Sequence, residues 1–196
     1  MPTTLNVTVD VVIPAFNEAL SIDRVLADIP RAWVRDIIVV NNNSSDSTSE
    51  VARRSGATVL DEPRQGYGFA CLKGLDHLRQ NPPDVVVFLD ADYSDYPEQL
   101  PLLVAPILSG EFDLVIGSRA TGQREPGSMT PQQLFGNALA TWLIRWLHGF
   151  RYTDLGPFRA ISWKALETLQ MQDQTYGWTV EMQLKALKKS LRITEV

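Results

Sequence analysis

The hydrophobic and polar positions of the chain alternate in blocks through its first half. Val7 to Ile13 is a β-rich apolar run that ends at Pro14. Beyond it Ile22, Val25, Leu26 and Ile29 recur at helical spacing, with Asn17 placed as an N-cap. Asp36 to Val40 reads as a second strand and Ala57 to Leu60 as a third; between them lies a short helix whose Ser47 and Glu50 have capping-box spacing. A helix is predicted from Tyr67 to Leu78, and Asp84 to Leu89, nearly all Val and Phe, reads as a strand buried on both faces. Strand–helix alternation of this kind predicts an α/β fold, a mostly parallel Rossmann-like sheet flanked by helices, whose ligands sit at the carboxyl ends of the strands.

The second half is patterned differently. Phe112 to Ile116 is another strand, and the segment from Gly117 to Pro131 reads as a polar loop. From Pro131 onward Leu134/Phe135, Ala138/Leu139, Trp142/Leu143 and Trp146/Leu147 place an apolar pair every four residues. Such a stripe is a core face or, given its two tryptophans and Arg145, a face for a membrane surface or an acceptor. Glu98 and Gln99 form a first turn after Pro97, Val180, Leu184 and Leu187 mark a last helix, and Leu191 to Val196 resembles a strand just begun. The chain is therefore expected to be a truncated piece of a longer protein. One domain is expected over 1–196, with a nucleotide-binding half (1–118) and an acceptor-binding half (119–196).

Composition narrows the classes. The chain has 196 residues, 44% hydrophobic and 21% charged, as in a soluble globular domain. A net charge of −5 argues against nucleic acid as partner. The single cysteine, Cys71, excludes a disulfide framework and a cysteine-rich zinc site. No secretion signal or membrane-spanning run is visible, so the expected location is cytoplasmic, with a peripheral membrane association open. Without a secretion signal, the sequons at Asn6 and Asn43 carry no meaning, and His77 and His148 read as ordinary helix residues.

The residues with most chemical promise are Asp90-Ala91-Asp92, at the end of the Val85–Leu89 strand. In extended chain, residues two apart point to the same side, so both carboxylates are presented together. Like charges held close call for a cation between them, and Mg²⁺ or Mn²⁺ is commonly held by one or two carboxylates with phosphate oxygens completing the shell. The alternative is a solvated pair that merely ends the strand. Three other loops open toward the same edge: Pro14 to Glu18, Asn41 to Thr48 ("NNNSSDST"), and Asp61 to Gly68. Together they could enclose a nucleotide. Gly66-Tyr67-Gly68 is half a dinucleotide fingerprint, with Cys71 at the third glycine position, and there is no Walker A motif or nucleophile elbow.

The segments "VVIPAFNE", "IIVVNNNSSDST", "FLDADYSDYPEQL", "LVIGSRA" and "DLGPFRAIS" stand in the order and spacing of glycosyltransferase family 2. The chain resembles that family from Val9 to Val196, and within it the dolichyl- and polyprenyl-phosphate sugar transferases. The resemblance implies the GT-A fold, inverting transfer, and a UDP- or GDP-sugar donor with Mg²⁺ or Mn²⁺. Lipid phosphate is then one candidate acceptor. It implies that Pro14, Ala15, Asn17 and Glu18 line the base and ribose, and that Asn41, Asn43, Asp46, Gly66 and Ala91 belong to the nucleotide site. Asp90 would contact the ribose or the metal, and Asp92 would bind the metal. Arg119 would reach phosphate or acceptor; Asp154 and the Gly156-Pro157-Phe158-Arg159 turn would sit by sugar and acceptor, with Glu181 near the acceptor. Asp154, ahead of Glu181, is the candidate base for a hydroxyl acceptor. Each has a plainer role: Glu18 at a helix start, Arg119 in a surface ion pair, Asp154 capping a turn, Glu181 on a solvated helix face. Asn41 stands where the family usually has aspartate, and Tyr93-Ser94-Asp95 replaces a Leu-Ser-His or Gln-containing run. The rival reading is a nucleotide-sugar binding module without turnover. A sugar-nucleotide synthesising transferase would need a Gly-rich basic loop in place of Val12 to Phe16.

Overall fold

The structure, a computed structural model, describes residues 7–118, 152–153 and 156–196. The strands are β1 (Val9–Ala15), β2 (Asp36–Asn41), β3 (Thr58–Asp61), β4 (Val85–Phe88), β5 (Leu114–Ile116), β6 (Arg159–Ser162) and β7 (Ile193–Glu195). The α-helices among the described residues are α1 (Ile22–Asp28), α2 (Thr48–Arg54), α3 (Tyr67–Leu78), α4 (Leu100–Leu108), α5 (Trp163–Leu169) and α6 (Trp178–Lys188). The strands form one sheet in the order β3-β2-β1-β4-β6-β5-β7. Only β6 runs against its neighbours, pairing antiparallel with β4 and β5. The chain walks outward from β1 through β2 to β3, then returns to place β4 on the other side of β1. The carboxyl ends of β1 and β4 thus flank a topological switch point, where α/β sheets bind ligands.

Strand alternation assigns each side chain to one of two cores. Val9, Val11, Ile13, Val85, Val87 and Leu89 pack with Ile22, Val25 and Leu26 of α1 and Leu103 and Val104 of α4. Val12, Val86 and Phe88 pack instead with Ala70, Cys71 and Leu75 of α3 and with Leu166, Trp178 and Met182 of α5 and α6. The Trp178 ring meets Phe88 edge to face, centroids 5.9 Å apart.

The predicted helix over Tyr67–Leu78 is observed with those bounds, and every strand but β6, which was not predicted, falls within a few residues of its predicted position. Several local expectations are overturned. Asn17 does not cap α1; it turns left-handed (φ 57) and its side chain leaves for the β2–α2 loop. The Ser47–Glu50 capping box does not form; Ser47 makes no side-chain capping bond, and the helix start is served by the Asp46 carboxylate, which accepts the Thr48 amide at 3.0 Å. Arg159 is not in a turn but opens β6; the first turn expected after Pro97 is observed as a 3₁₀ turn over Pro97–Gln99, and α4 follows it directly. The apolar-pair stripe at 134–147 lies outside the described residues, and among those described no helix is long and apolar enough to cross a membrane.

Candidate functional site

A cleft of about 290 Å³ opens at the switch point. Pro14, Ala15, Phe16 and Glu18 line it from the end of β1, Asn42 from the end of β2, and Gln65, Gly66 and Tyr67 from the start of α3. Asp90, Ala91 and Asp92 line it from the end of β4, and Tyr176 from the segment between α5 and α6. Seven of the sequence-derived candidates therefore share one cleft: Pro14, Ala15, Glu18, Gly66, Asp90, Ala91 and Asp92. Phe16, Asn42, Gln65, Tyr67 and Tyr176 join them; the loops of the first four were legible in the pattern, whereas the segment that carries Tyr176 was not.

Asp90 and Asp92 occupy different surroundings. Burial, and after it the negative charge of Asp90, push the Tyr67 hydroxyl well above its ordinary range, so it stays protonated. Burial and Asp90 act in the same direction on the Cys71 thiol, leaving it unreactive. The counter-charge is Arg159, fully buried on β6 beside Phe88, whose guanidinium also donates to the carbonyls of Thr179 (3.1 Å) and Gly156. Asp92 is exposed, and its Oδ1 accepts the Ser94 amide at 3.0 Å.

The other candidates build the walls. Asn41 uses both ends of its amide internally, donating to Asp61 at 3.0 Å and accepting the Ser44 amide at 3.0 Å. Asn43 takes a left-handed turn, φ 65. Asp46 accepts from the amides of Ala19 and Thr48 and from the Thr48 hydroxyl; its slight burial works against the shift, but these donors hold its carboxyl below the ordinary range. Asn17 accepts the Ser45 amide at 2.8 Å, and the Glu18 amide donates to the Thr48 hydroxyl at 2.8 Å. The "NNNSSDST" stretch is thus stitched to the β1 loop. Its neighbour Asn42, 6% exposed, accepts the Gly66 amide at 2.8 Å and donates to the carbonyls of Arg64 (2.7 Å) and Glu62 (3.3 Å), tying β2 to the loop that opens α3.

Gly66 and Gly68 serve a close approach. A side chain on either would collide with backbone of Gln174 or Asp173. The amides of Gly68 and Phe69, at the start of α3, donate to the carbonyls of Thr175 (2.9 Å) and Gln174 (3.0 Å). The helix start is therefore covered by a strap, residues 170–177, rather than free for phosphate. Glu181 on α6 anchors that strap. It accepts the Gln172 amide at 3.0 Å and the Asp173 amide at 2.8 Å, and pairs with Lys185 at 2.7 Å. Arg119 and Asp154 lie outside the described residues.

Glu18, Asp90 and Asp92 give the described cleft lining three carboxylates, and no Lys, Arg or His faces it. A diphosphate could not lie against such a wall without a cation. The donor set suits a hard, oxygen-seeking ion that shares its shell with phosphate. No cluster of three or more His, Cys, Asp or Glu among the described residues would hold a metal alone.

A family model described as "Glycosyl transferase family 2" matches residues 10–169. A glycosyltransferase of Mycobacterium tuberculosis that bears no more specific name is 37% identical over 191 residues, 96% of this chain and 83% of that protein. The undecaprenyl-phosphate mannosyltransferase of Micrococcus luteus is 30% identical over 203 residues, 94% of this chain and 80% of that protein. Among solved structures, glucosyl-3-phosphoglycerate synthase from M. tuberculosis, in complex with Mn²⁺, UDP-glucose and phosphoglyceric acid, superposes with a TM-score of 0.78. It is 28% identical, over 96% of this chain and 69% of that one.

Proposed function

The chain belongs to glycosyltransferase family 2, and from that premise we propose that its cleft binds a nucleoside-diphosphate sugar with Mg²⁺ or Mn²⁺ and passes the sugar, with inversion, to a polyprenyl phosphate. The observation that carries this reading is the pair Asp90 and Asp92 in one cleft at the switch point, with no cationic side chain among its described lining. Asp92, exposed and at the rim, and Asp90 are the residues that would hold the ion. The bound cation would neutralise the diphosphate as it leaves, a Lewis-acid contribution.

The chain's own residues do the rest. Tyr67 stays protonated near Asp90, and Arg159 adds buried positive charge to the same surroundings. Pro14, Ala15 and Phe16 form a wall for the nucleoside, and Asn42 sets the opposite wall by holding the Glu62–Gly66 backbone. A phosphate acceptor is already anionic near neutral pH and needs no general base. A hydroxyl acceptor would need one, with Asp154 as candidate. The likeness to an undecaprenyl-phosphate mannosyltransferase and to the phosphoglycerate enzyme supports an acceptor that carries phosphate.

The test is nucleotide release from a panel of UDP- and GDP-sugars with Mn²⁺, in three arms: polyprenyl phosphate in detergent micelles, 3-phosphoglycerate, and no acceptor. Release dependent on polyprenyl phosphate, abolished in Asp92→Ala and retained in Asp154→Asn, is expected. Release only with phosphoglycerate would replace the acceptor. Metal-dependent binding of a nucleotide sugar without release in any arm would favour the binding-module reading.

A further inference from the structure

The residue after Asp92 is a tyrosine in a backbone conformation that bulky L residues avoid. Tyr93 has φ 62, where its Cβ crowds the following carbonyl oxygen. Such a conformation persists only where the surroundings over-determine it. Here they do so from both ends of the side chain. The Arg24 guanidinium carbon lies over the ring, 3.9 Å from its centroid, and the hydroxyl donates to the Asp28 carboxylate. Arg24 and Asp28 are one turn apart on α1, hence on one helix face. That helix is locked in turn by the buried side chains of Ile22, Val25 and Leu26.

The consequence falls on Asp92. Ala91, before it, is 3% exposed and packs in the same core as α1, and Tyr93, after it, packs against that core as well. The two neighbours fasten the chain on the α1 side of the sheet, leaving the carboxylates of Asp90 and Asp92 to line the cleft. The left-handed turn at Tyr93 also presents the Ser94 amide to Asp92 Oδ1, which fixes that carboxylate's rotation. We propose that Tyr93 is a positioning residue for Asp92: gripped by Arg24 and Asp28, it holds the reversed backbone that keeps the Asp92 carboxylate beside Asp90 in the cleft. This rests on the reading of Asp92 as a cation ligand.

The experiment measures Mn²⁺ binding by loss of the free-ion electron paramagnetic resonance signal, with saturating UDP or GDP, whichever the wild type retains with Mn²⁺. Metal-free binding of the same nucleotide is measured in parallel by calorimetry. Tyr93→Ala, which removes both grips, is expected to weaken Mn²⁺ binding about tenfold while metal-free nucleotide affinity stays within about twofold. Tyr93→Gly, which accepts the φ without strain but lacks the grips, is expected to behave like Tyr93→Ala. Tyr93→Phe keeps the ring under Arg24, folds with the least disturbance, and is expected to lose about threefold. Mn²⁺ binding unchanged in Tyr93→Phe and in whichever of the other variants folds would overturn the proposal. So would a parallel fall in metal-free affinity, the mark of a merely structural role. A wild type that takes up no Mn²⁺ with either nucleotide overturns the cation reading itself, whereas uptake by the wild type with unaltered variants overturns only the role of Tyr93.

Discussion

Glu181 separates a chemical role from a structural one, and Glu181→Gln tests which it has. Its carboxylate accepts from the amides of Gln172 and Asp173 and from Lys185, and its side chain is only 16% exposed. Burial alone would raise its carboxyl; the Lys185 ammonium and the amides of Asp173 and Gln172 outweigh that and hold it below the ordinary carboxylate range. A hydrogen bond to a charged acceptor contributes about 1.5–3 kcal/mol. The glutamine keeps one carbonyl oxygen, so one of the two amides retains a partner and the expected loss is about 1–2 kcal/mol. For a chain of this size that corresponds to a fall in Tm of roughly 2–8 °C. The sign with pH follows from the lowered carboxyl. The ionised form is favoured in the folded state, so the contribution is present above the unfolded-state value of 4.5 and is lost as pH falls below it. The wild-type and Glu181→Gln melting curves should therefore differ at pH 7 and converge in acid. Hydrogen exchange should show the Gln172 and Asp173 amides losing protection in the variant. If turnover collapses while the Tm and those amides are unchanged, Glu181 acts on the substrate and the anchoring argument is wrong.

Gly68→Ala drives a methyl group into the Asp173 backbone and should cost about 2–4 kcal/mol, read as a fall in Tm of roughly 5–15 °C with loss of exchange protection at Phe69. Asn42→Ala strands the half-buried Gly66 amide and the carbonyls of Glu62 and Arg64; a loss of about 2–3 kcal/mol in chemical denaturation is expected, with weaker nucleotide-sugar binding in calorimetry. Glu62 has its carboxyl held down to about 2, first by the two-point pairing with Arg64 against the cost of burial. Its stabilisation is complete above pH 4.5 and disappears as pH falls toward 2, so Glu62→Gln should lose about 1–2 kcal/mol at pH 7 (the exposure of Arg64 discounts the full shift) and flatten the acid limb of the stability profile. A Glu62→Gln acid limb as steep as the wild type's would refute that assignment.

The parallel half of the sheet was legible because its information is local. The strands β1, β2 and β4 are short Val- and Ile-rich runs buried on both faces, and each loop after a strand announces itself with Pro, Asn or Gly. The antiparallel β6 was not, since Arg159–Ser162 begins with a buried arginine, and its strand state is decided by pairing with β4 and β5, far away in sequence. Helix α4 was hidden by Pro101 and Pro106; the first sits in the opening turn, where no amide partner is missed, and the second leaves free only the carbonyl of Leu102, which is 57% exposed.

The site shows the same division more sharply. Asp90 and Asp92 could be read from the sequence because they directly follow a Val/Phe strand, at the carboxyl edge where such a sheet binds its ligand. Asn41, Asp46 and Glu181 are equally capable of binding a ligand, yet each spends its polar atoms on backbone or side-chain groups of a loop it helps to fold. Which polar residue stays available depends on where the unsatisfied amides of other segments end up, and those positions are set by long-range packing. The capping box illustrates the rule. Ser47 and Glu50 have the right spacing, yet Ser47 makes no capping bond, and it is Asp46 that takes the amides of Ala19 and Thr48. The chemistry of the cleft is then what remains after the scaffold has taken its hydrogen bonds: three carboxylates on the described lining, and a polyanion that can approach them only in company with a cation.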